Sequence, residues 1–333
     1  MTNDVERINA IKEAIQLSSD RWRQRFPLLA NKDLIGLTVF SASITGILIS
    51  AAAYLNGVLN AITCILIVAF LTSLLHELEH DLIHRQYFKK NKFMHNLMML
   101  GVWLFRPGTI NPWIRRHLHF LHHKTSGTER DIEEIGIGNG QRYSALRWLI
   151  MSDPFAGNIA KVISGNESKK IIHVIRIIAA YFPFGVASAI IFYAFMGFHG
   201  TNAISQFAGL SIEWSATTLA YMEFINPLFV ILIAPHYLRS FCIIFISSNM
   251  HYYGNVDSVL KQTQVLNAWY FLPFQLFCFN FGSTHGIHHF VVGEPFYIRQ
   301  LTAKDAHKAM RENGVPFNDI GTFKRKNRYP VNN

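Results

Sequence analysis

The sequence predicts an all-α, multi-pass membrane protein with about four spans, and three observations support this fold class. Half of the 333 residues are hydrophobic and only 16% are charged, a composition that soluble globular chains rarely have. The hydrophobic residues form continuous runs that are long enough to cross a hydrocarbon core of about 30 Å as helices. Lys and Arg collect in certain loops between these runs, as in membrane proteins with a fixed orientation.

Four apolar stretches predict one crossing each. They are residues 34–55, 58–75, about 171–198 and about 216–250. The first two contain no charged side chain. Two further segments, 93–105 and 144–165, are too short or too mixed in polarity to span, and we expect them to lie along the membrane surface.

Positive charge is distributed unevenly, and this predicts the orientation. Segment 85–130 carries nine Lys and Arg residues, whereas segment 199–215 carries none. The first 33 residues are polar and hold six Lys and Arg residues, so we expect no cleaved signal peptide and an N-terminus that stays in the cytoplasm. After four crossings the C-terminus lies on the same side. The net charge of +10 follows from this arrangement, and we expect no nucleic-acid partner.

The chain divides into one membrane domain with two short ends. Residues 1–33 form a polar extension that is amphipathic at about 4–25, residues 34–300 form the membrane domain, and residues 301–333 form a basic cytoplasmic tail. Neither end is long enough to be a second folded domain.

Ten of the sixteen histidines fall in three short clusters. The first cluster continues the second apolar stretch, and its members are four residues apart, so they share one helix face. The second and third clusters each contain the pattern H-x-x-H-H, which chance does not readily produce twice. The clusters are His76, His80 and His84; His117, His119, His122 and His123; and His285, His288 and His289. Neutral imidazole binds Fe, Zn, Cu and Ni, and this number exceeds the need of one ion, so we expect two metals.

The order of clusters and spans tests whether the clusters can meet. Only 32 residues separate the first cluster from the second, too few for two full crossings. Two crossings separate the second from the third, and an even number returns the chain to the same side. All three clusters can therefore share one site at the cytoplasmic ends of the spans. His251 ends the fourth stretch and arrives at the same depth, so we expect it to be a further ligand.

Side chains beside the clusters can orient the imidazoles through hydrogen bonds, as metal-binding histidines usually require. The candidates for this role are Glu77, Asp81, Asp131 and Asn249, and Glu79, Glu133 and Glu134 also flank the clusters. Five histidines stand alone, and we do not expect them to bind metal. They are His95, His173, His199, His236 and His307.

At these residues the chain resembles the membrane fatty acid desaturase and hydroxylase superfamily, over roughly residues 70–300. The likeness rests on three histidine boxes in order together with four apolar stretches. It implies two irons bound almost entirely by histidines, with the second and third boxes supplying ligands. In the first box, His80 is joined by His76, His84 or both. An additional histidine before the third box is common in the superfamily and matches His251.

The boxes resemble more than one subfamily. His80-Asp81-x-x-His84 looks like the first box of acyl-lipid desaturases, whereas His76-Glu77-x-x-His80 looks like that of alkane hydroxylases. The resemblance therefore implies O2-dependent oxidation of a fatty acyl chain, with desaturation as the expected outcome. Hydroxylation, or decarboxylation to a terminal alkene, by the same centre remains the alternative.

Oxidative chemistry of this kind needs a substrate site that excludes water and a source of electrons. We expect an apolar tunnel between the spans, with Arg85 and Arg299 among the cations that hold the head group of a lipid or fatty acyl substrate. The chain has no C-x-x-C pair, no clear dinucleotide fingerprint and no room for a haem domain, so electrons must come from a separate ferredoxin, rubredoxin or cytochrome with its reductase.

Two other classes of protein compete with this interpretation. His76-Glu77-x-x-His80 matches the H-E-x-x-H motif of zinc proteases, with Glu77 as general base. That site would leave both H-x-x-H-H boxes unexplained. A metal transporter would need ionisable groups distributed along a path through the membrane midplane, whereas these histidines cluster at one surface.

Overall fold

The computed structural model describes residues 4–166 and 168–330, and its regular elements there are helical, which confirms the all-α prediction. The helices are α1 Asp4–Arg25, α2 Lys32–Leu55, α3 Ala61–Ile83, α4 Lys92–Leu104, α5 Pro112–Thr125, α6 Ile132–Gly136, α7 Ala145–Ser152, α8 Pro154–Ser164, α9 Lys170–Tyr181, α10 Phe184–Phe207, α11 Ala216–Leu228, α12 Ala234–Met250, α13 Val259–Gln262, α14 Leu272–Leu276, α15 Phe281–Phe290 and α16 Phe296–Glu312. Short 3-10 turns and two isolated β-bridges complete the described chain.

Four helical segments in the described ranges are long and apolar enough to cross a membrane, as predicted. They are α2, α3, α10 and the segment Ala216–Met250, in which the π-helical turn Phe229–Ile233 joins α11 to α12. Asparagine caps fix where the first two begin. The side chain of Asn31 accepts the backbone N–H of Leu34 at 3.1 Å, and that of Asn60 accepts the N–H of Thr63 at 2.9 Å.

The third crossing has different bounds from those expected from composition. The apolar stretch 171–198 is divided, because α9 ends at Tyr181 and α10 begins at Phe184. Pro183 between them has no N–H to donate to a carbonyl of α9, which favours a break in the helix at this point. The candidate span therefore extends to Phe207, and residues 199–207, expected to belong to a loop, are helical. The number of crossings between the second and third histidine clusters is unchanged.

The four candidate spans are not equally buried. The apolar windows of α3 and of Ala216–Met250 are 50% and 56% buried inside the protein, whereas those of α2 and α10 are 22% and 17% buried. The interior spans are therefore α3 and α12. Their last turns carry His80, His84 and His251, so the most enclosed part of the fold is also the part that carries predicted ligands.

Both ends of the chain pack against the membrane domain. On α1, Ile11 and Ile15 are fully buried in a cluster with residues of α15 and α16. The Ser18 hydroxyl donates to Asp305 of α16 at 2.6 Å. Near the C-terminus, Asn327 is fully buried, and its side-chain oxygen accepts a hydrogen bond from Arg147 at 2.7 Å. The apolar packing of α1 explains its predicted amphipathic character.

Candidate metal centre

Four elements bring nine of the ten predicted histidines into one buried region. The end of α3 supplies His80 and His84, α5 supplies three, the residue after α12 is His251, and α15 supplies three. Ring centroids lie 4.3 Å apart for His80 and His288 and 5.3 Å apart for His122 and His251. The α5 and α15 residues are His119, His122, His123, His285, His288 and His289. Chain segments more than 160 residues apart in sequence thus meet, as the count of crossings predicted.

A first group of histidines can hold one metal ion. One ring nitrogen each of His80, His84, His119 and His288 lies within 4.8 Å of the others. The Nε2 atoms of His84 and His119 are 3.0 Å apart. The Nε2 atom of His123 is 3.1 Å from that of His288 and 3.2 Å from that of His119, so it borders the same space.

A second group lies beside the first. One ring nitrogen each of His122, His251 and His289 lies within 4.8 Å of the others, and the Nε2 atoms of His251 and His289 are 3.4 Å apart. The ring of His285 stands between the groups, with centroid distances of 5.2 Å to His80 and 5.3 Å to His251. A third set of possible ligands, His122, Asp131 and Glu134, shares His122 with the second group. The site therefore contains a first group of histidines and a second region, in which carboxylates lie beside the histidines.

His76, the tenth predicted histidine, lies outside both groups. Its ring contacts Phe281 edge-on at 5.8 Å, and both of its nitrogens are buried without a hydrogen-bond partner in the described chain. Sequence reasoning left open whether His76, His84 or both complete the first box. The geometry places His84, and not His76, against His119.

Carboxylates and one carbonyl hold the outer nitrogens of three rings. Glu133 accepts from His119 Nδ1 at 2.9 Å, and Asp131 accepts from His122 Nδ1 at 2.7 Å. His251 Nδ1 donates to the Ser247 carbonyl at 2.9 Å, and Glu134 Oε1 lies 3.4 Å from the same nitrogen. Asp131 was the predicted member of this set. Glu133 and Glu134 were noted only as flanking residues, and nothing in the sequence pointed to Ser247.

The other predicted supporting residues have different partners. Asp81 accepts from Tyr87 and from the backbone N–H of Phe296, both at 2.8 Å. Asn249 accepts from the Tyr143 hydroxyl at 2.7 Å. Asp81 therefore connects α3 to α16, and Asn249 connects α12 to the loop before α7, although Asp81 Oδ1 also lies 3.8 Å from His80 Nδ1.

The two arginines predicted to hold a head group lie in different environments. Arg85 follows α3 and is exposed. Arg299 is only 1% exposed, and its guanidinium lies 3.0 Å from Glu77 and 3.3 Å from Asp81. These two carboxylates neutralise Arg299 inside the protein, which separates it from any lipid head group at the surface.

Burial keeps most of these imidazoles neutral. It lowers the pKa of His84 to about 2, of His123 to about 3 and of His251 to about 4, and neighbouring histidines lower each value further. For His122, burial acts in the same direction, but the hydrogen bond to Asp131 outweighs it and raises the pKa. A neutral ring with an Nδ1–H bond keeps a free lone pair on Nε2, the form that binds metals.

The positions of the nitrogens fit bound metal ions. Because the Nδ1 atoms of His119 and His251 donate outward, their Nε2 lone pairs point at neighbouring ring nitrogens 3.0–3.4 Å away. Nitrogens bound to one ion at about 2.1 Å are roughly 3.0 to 3.4 Å apart at bond angles of about 90° to 109°. Both nitrogens of His80 and Nδ1 of His288 are also buried without a hydrogen-bond partner in the described chain, which is costly unless a ligand satisfies them.

These features define a class: a polytopic membrane protein with a buried, all-histidine candidate metal centre at the ends of its interior spans. Comparison with known families identifies the protein further. The fatty acid desaturase family model matches residues 56–321, so the chain belongs to that family. No curated protein and no solved structure matches the chain. Family membership makes this protein a membrane oxidoreductase of fatty acyl lipids and confirms the resemblance found in the sequence.

Proposed function

We propose that the protein desaturates a fatty acyl chain with dioxygen, using two ferrous ions held by the two histidine groups. The observation that carries this proposal is the pair of adjacent groups, His80, His84, His119 and His288 beside His122, His251 and His289. One metal would need only one of them. Imidazole ligands suit iron, and removal of hydrogen from an unactivated methylene requires a redox-active metal because the C–H bond is neither acidic nor polarised.

Nine histidines are the proposed ligands. His123 joins the first group, since its Nε2 atom lies 3.1–3.3 Å from three members of that group. His285 lies between the groups, with its ring 5.2 Å from that of His80 and 5.1 Å from that of His289, so it can complete either group. We leave His76 out of the ligand set because it touches neither group.

The irons supply the one-electron and dioxygen chemistry, and the chain controls the surroundings of that chemistry. Glu133 and Asp131 fix the tautomers of His119 and His122, so that Nε2 faces inward. Five ligand histidines of α5 and α15 are at most 8% exposed, namely His119, His122, His285, His288 and His289, whereas His123 is partly exposed. This burial excludes water from the reacting groups, which protects a reactive oxidant from side reactions.

The reaction balances only with an external reductant. A saturated –CH2–CH2– unit, one dioxygen, two electrons and two protons give –CH=CH– and two waters. We propose that a separate ferredoxin, rubredoxin or cytochrome supplies the electrons, since the chain has no motif for a second redox cofactor. An acidic donor suits the Lys- and Arg-rich segment 85–130. Hydroxylation and decarboxylation use the same centre and remain the alternative outcomes.

We further propose that both termini and the metal centre face the cytoplasm. The support is the absence of Lys and Arg from 199–215, compared with nine in 85–130. Within this arrangement residues 34–300 carry the catalytic site, and the N-terminal extension and the basic tail cover it from the cytoplasmic side.

The zinc-protease alternative has no geometric support. A thermolysin-like site needs both histidines of H-E-x-x-H on one ion and a free glutamate as base. Here His76 lies outside the groups that contain His80. Glu77 is paired with the buried Arg299 at 3.0 Å.

Lipid analysis tests the proposed reaction. The chain is expressed with an electron-donor system in a host of known lipid profile, and lipids and headspace volatiles are measured by mass spectrometry. We expect a new acyl double bond with the wild type and none with His288→Ala. His117→Ala is the matched control, because His117 lies on α5 but is exposed. An unchanged lipid profile with an iron-loaded wild-type protein and active donor would contradict the proposal.

A further inference from the structure

A group of buried basic side chains lies next to the histidine groups and is not explained by metal binding. Arg106 is 1% exposed, Arg239 is 2% exposed and His236 is 4% exposed. Arg239 and His236 lie inside the candidate span Ala216–Met250. Ionisable residues within a span are costly, and those that are present commonly mark the path or site of a ligand.

Two of the guanidinium groups in this region share one carboxylate, and a third has no carboxylate partner in the described chain. Glu79 accepts from Arg106 at 2.5 Å and from Arg115 at 2.7 Å, so one carboxylate serves two guanidinium groups. Arg115 has a second, more distant partner in Glu133 at 3.9 Å. Arg239 lies within electrostatic range of Arg106, Arg115 and Glu79, yet no carboxylate of the described chain lies within ion-pair distance of it.

The same group contains several hydrogen-bond donors with no acceptor. Nε and Nη1 of Arg239 and Nε and Nη2 of Arg106 are buried without a hydrogen-bond partner in the described chain. Guanidinium is the most basic of the side chains and stays protonated in proteins even when it is buried. Buried charged donors are normally paired. An uncompensated guanidinium with two free N–H groups therefore points to an anion as the missing partner.

The group adjoins the proposed metal centre. Arg115 precedes His119 by one helical turn on α5, and Glu79 directly precedes His80 on α3. His76 lies within electrostatic range of Arg106, Arg115 and Arg239 and also of His119. His236 also lines a small cavity together with Asp153, Ser188 and Tyr237.

We propose that Arg239 and Arg106 bind the carboxylate of a free fatty acid, which makes a long-chain acid, not a thioester or an ester, the substrate. This inference rests on the proposed function, because it names the substrate class for the same site. A guanidinium matches the geometry of a carboxylate, and such charge-assisted hydrogen bonds are strong in a water-poor site. A carboxylate is also the only one of these acyl head groups that carries the negative charge a buried guanidinium pairs with. Oxidation then falls on carbons close to the carboxyl end.

Binding measurements test the proposal without relying on turnover. Full-length protein is reconstituted in nanodiscs of zwitterionic lipid, and a radiolabelled saturated fatty acid is displaced by the same acid, its methyl ester, the primary alcohol of equal length, or inorganic phosphate. We expect the acid to compete roughly ten- to a hundredfold better than the ester and alcohol, and phosphate to compete weakly. Equal competition by acid, ester and alcohol would overturn the proposal, and so would displacement by phosphate at the concentration at which the acid competes.

Variants locate the binding group. Arg239→Met should remove the preference for the acid and leave the affinity for the ester unchanged, and Arg239→Lys should restore part of the preference. Arg147→Met is the matched control, because Arg147 is equally buried but donates to Gln141 and Asn327 within the chain at 2.7 Å each. If folded Arg239→Met kept the full preference for the acid, the assignment to Arg239 would be wrong. The comparison of ligands on the wild type stands even if a variant does not fold.

The outcomes separate this inference from the proposed function. A protein that oxidises acyl chains with bound iron but does not distinguish acid from ester supports the proposed function and contradicts the carboxylate site. A protein that prefers the acid through Arg239 but contains no iron supports the carboxylate site and contradicts the proposed function.

Discussion

Individual side chains decide which way the imidazoles face. His119 and His122 sit on one helix, and each directs Nδ1 to its own carboxylate, Glu133 at 2.9 Å and Asp131 at 2.7 Å. A ring free to turn would present either nitrogen. These hydrogen bonds select one orientation before a metal arrives, which reduces the entropy lost on binding.

Removal of one such carboxylate should lower the affinity of the second histidine group for iron. Asp131→Asn replaces the charged acceptor of His122, and we expect about ten- to a hundredfold lower affinity for one of the two irons. Competition with a chelator, followed by iron analysis, measures this loss. Glu129→Gln is the control in the same loop, because Glu129 is exposed and paired with Arg328 at the surface. Equal iron retention by Asp131→Asn and wild type would contradict the role of Asp131.

Substitution of the first-box histidines should distinguish a metal ligand from a histidine that only lies near the metal. We expect His84→Ala to lose one iron, because His84 Nε2 lies 3.0 Å from His119 Nε2. His76→Ala should keep both irons, since His76 contacts Phe281 instead. Iron per folded chain is the measurement. If only His76→Ala lost an iron, the ligands on α3 would be His76 and His80, one helical turn earlier than we propose.

The sequence allowed the histidines to be predicted, but not all of their supporting residues. Spacing along one helix places His119, His122 and His123 together, and an even number of crossings brings α15 to them. The bond from His251 to the Ser247 carbonyl depends on where α12 ends, and the pairing of Arg299 with Glu77 depends on how α16 packs against α3. Neither is a property of local sequence.

At the scale of the helix, composition alone did not locate the third span. The stretch 171–198 is apolar throughout most of its length, but hydropathy does not show where a helix is interrupted. Pro183 was the available signal, since a residue without an N–H and with a fixed φ ends the preceding helix. The division into α9 and α10 occurs at that residue, and it moves the span toward Phe207.

The contact between α1 and the loop before α16 gives a stability prediction with a defined pH dependence. Glu294 accepts from Ser19 at 3.0 Å and from Arg23 Nη1 at 3.0 Å. Burial alone would raise the pKa of Glu294, but the hydrogen bond and charge of Arg23 outweigh it and lower the pKa below its usual value. The stabilisation is therefore present above about pH 4.3, the pKa of a glutamate in the unfolded chain. It is lost as the pH falls through the lower pKa of Glu294 in the folded protein.

Glu294→Gln should lower the free energy of unfolding by about 1 kcal/mol at pH 7, because it removes a partly buried charge pair. The difference in the free energy of unfolding between the variant and the wild type should shrink as the pH falls below the pKa of the unfolded carboxyl group. Thermal unfolding of detergent-solubilised protein at neutral and acidic pH measures this. A difference that grew on acidification would show that Glu294 is not stabilised as a carboxylate.

For the whole molecule, the orientation in the membrane makes a separate prediction. The three native cysteines, Cys64, Cys242 and Cys278, are buried, so a single new cysteine can be labelled selectively. A membrane-impermeant maleimide should react with Leu210→Cys in intact cells and with Glu129→Cys only in inverted vesicles. Labelling of both residues from the same side would contradict the proposed topology and the cytoplasmic site.

The whole architecture was predictable because it depends on few quantities. The number of spans and the even count between clusters require only hydrophobicity and chain length, and these determine which segments can meet. The buried group around Arg239 was not predictable in this way. The group is informative because Arg239 has no carboxylate partner in the described chain. That can be recognised only from the packing of the neighbouring helices in the structure.

The metal content of the purified, full-length protein tests the central claim most directly. Protein reconstituted with ferrous iron under anaerobic conditions is analysed by mass spectrometry for iron and zinc per chain, with His288→Ala and His117→Ala beside it. We predict two irons per chain for the wild type and for His117→Ala, and fewer for His288→Ala. A single tightly bound zinc, or no metal that survives purification and reconstitution, would contradict the two-iron centre.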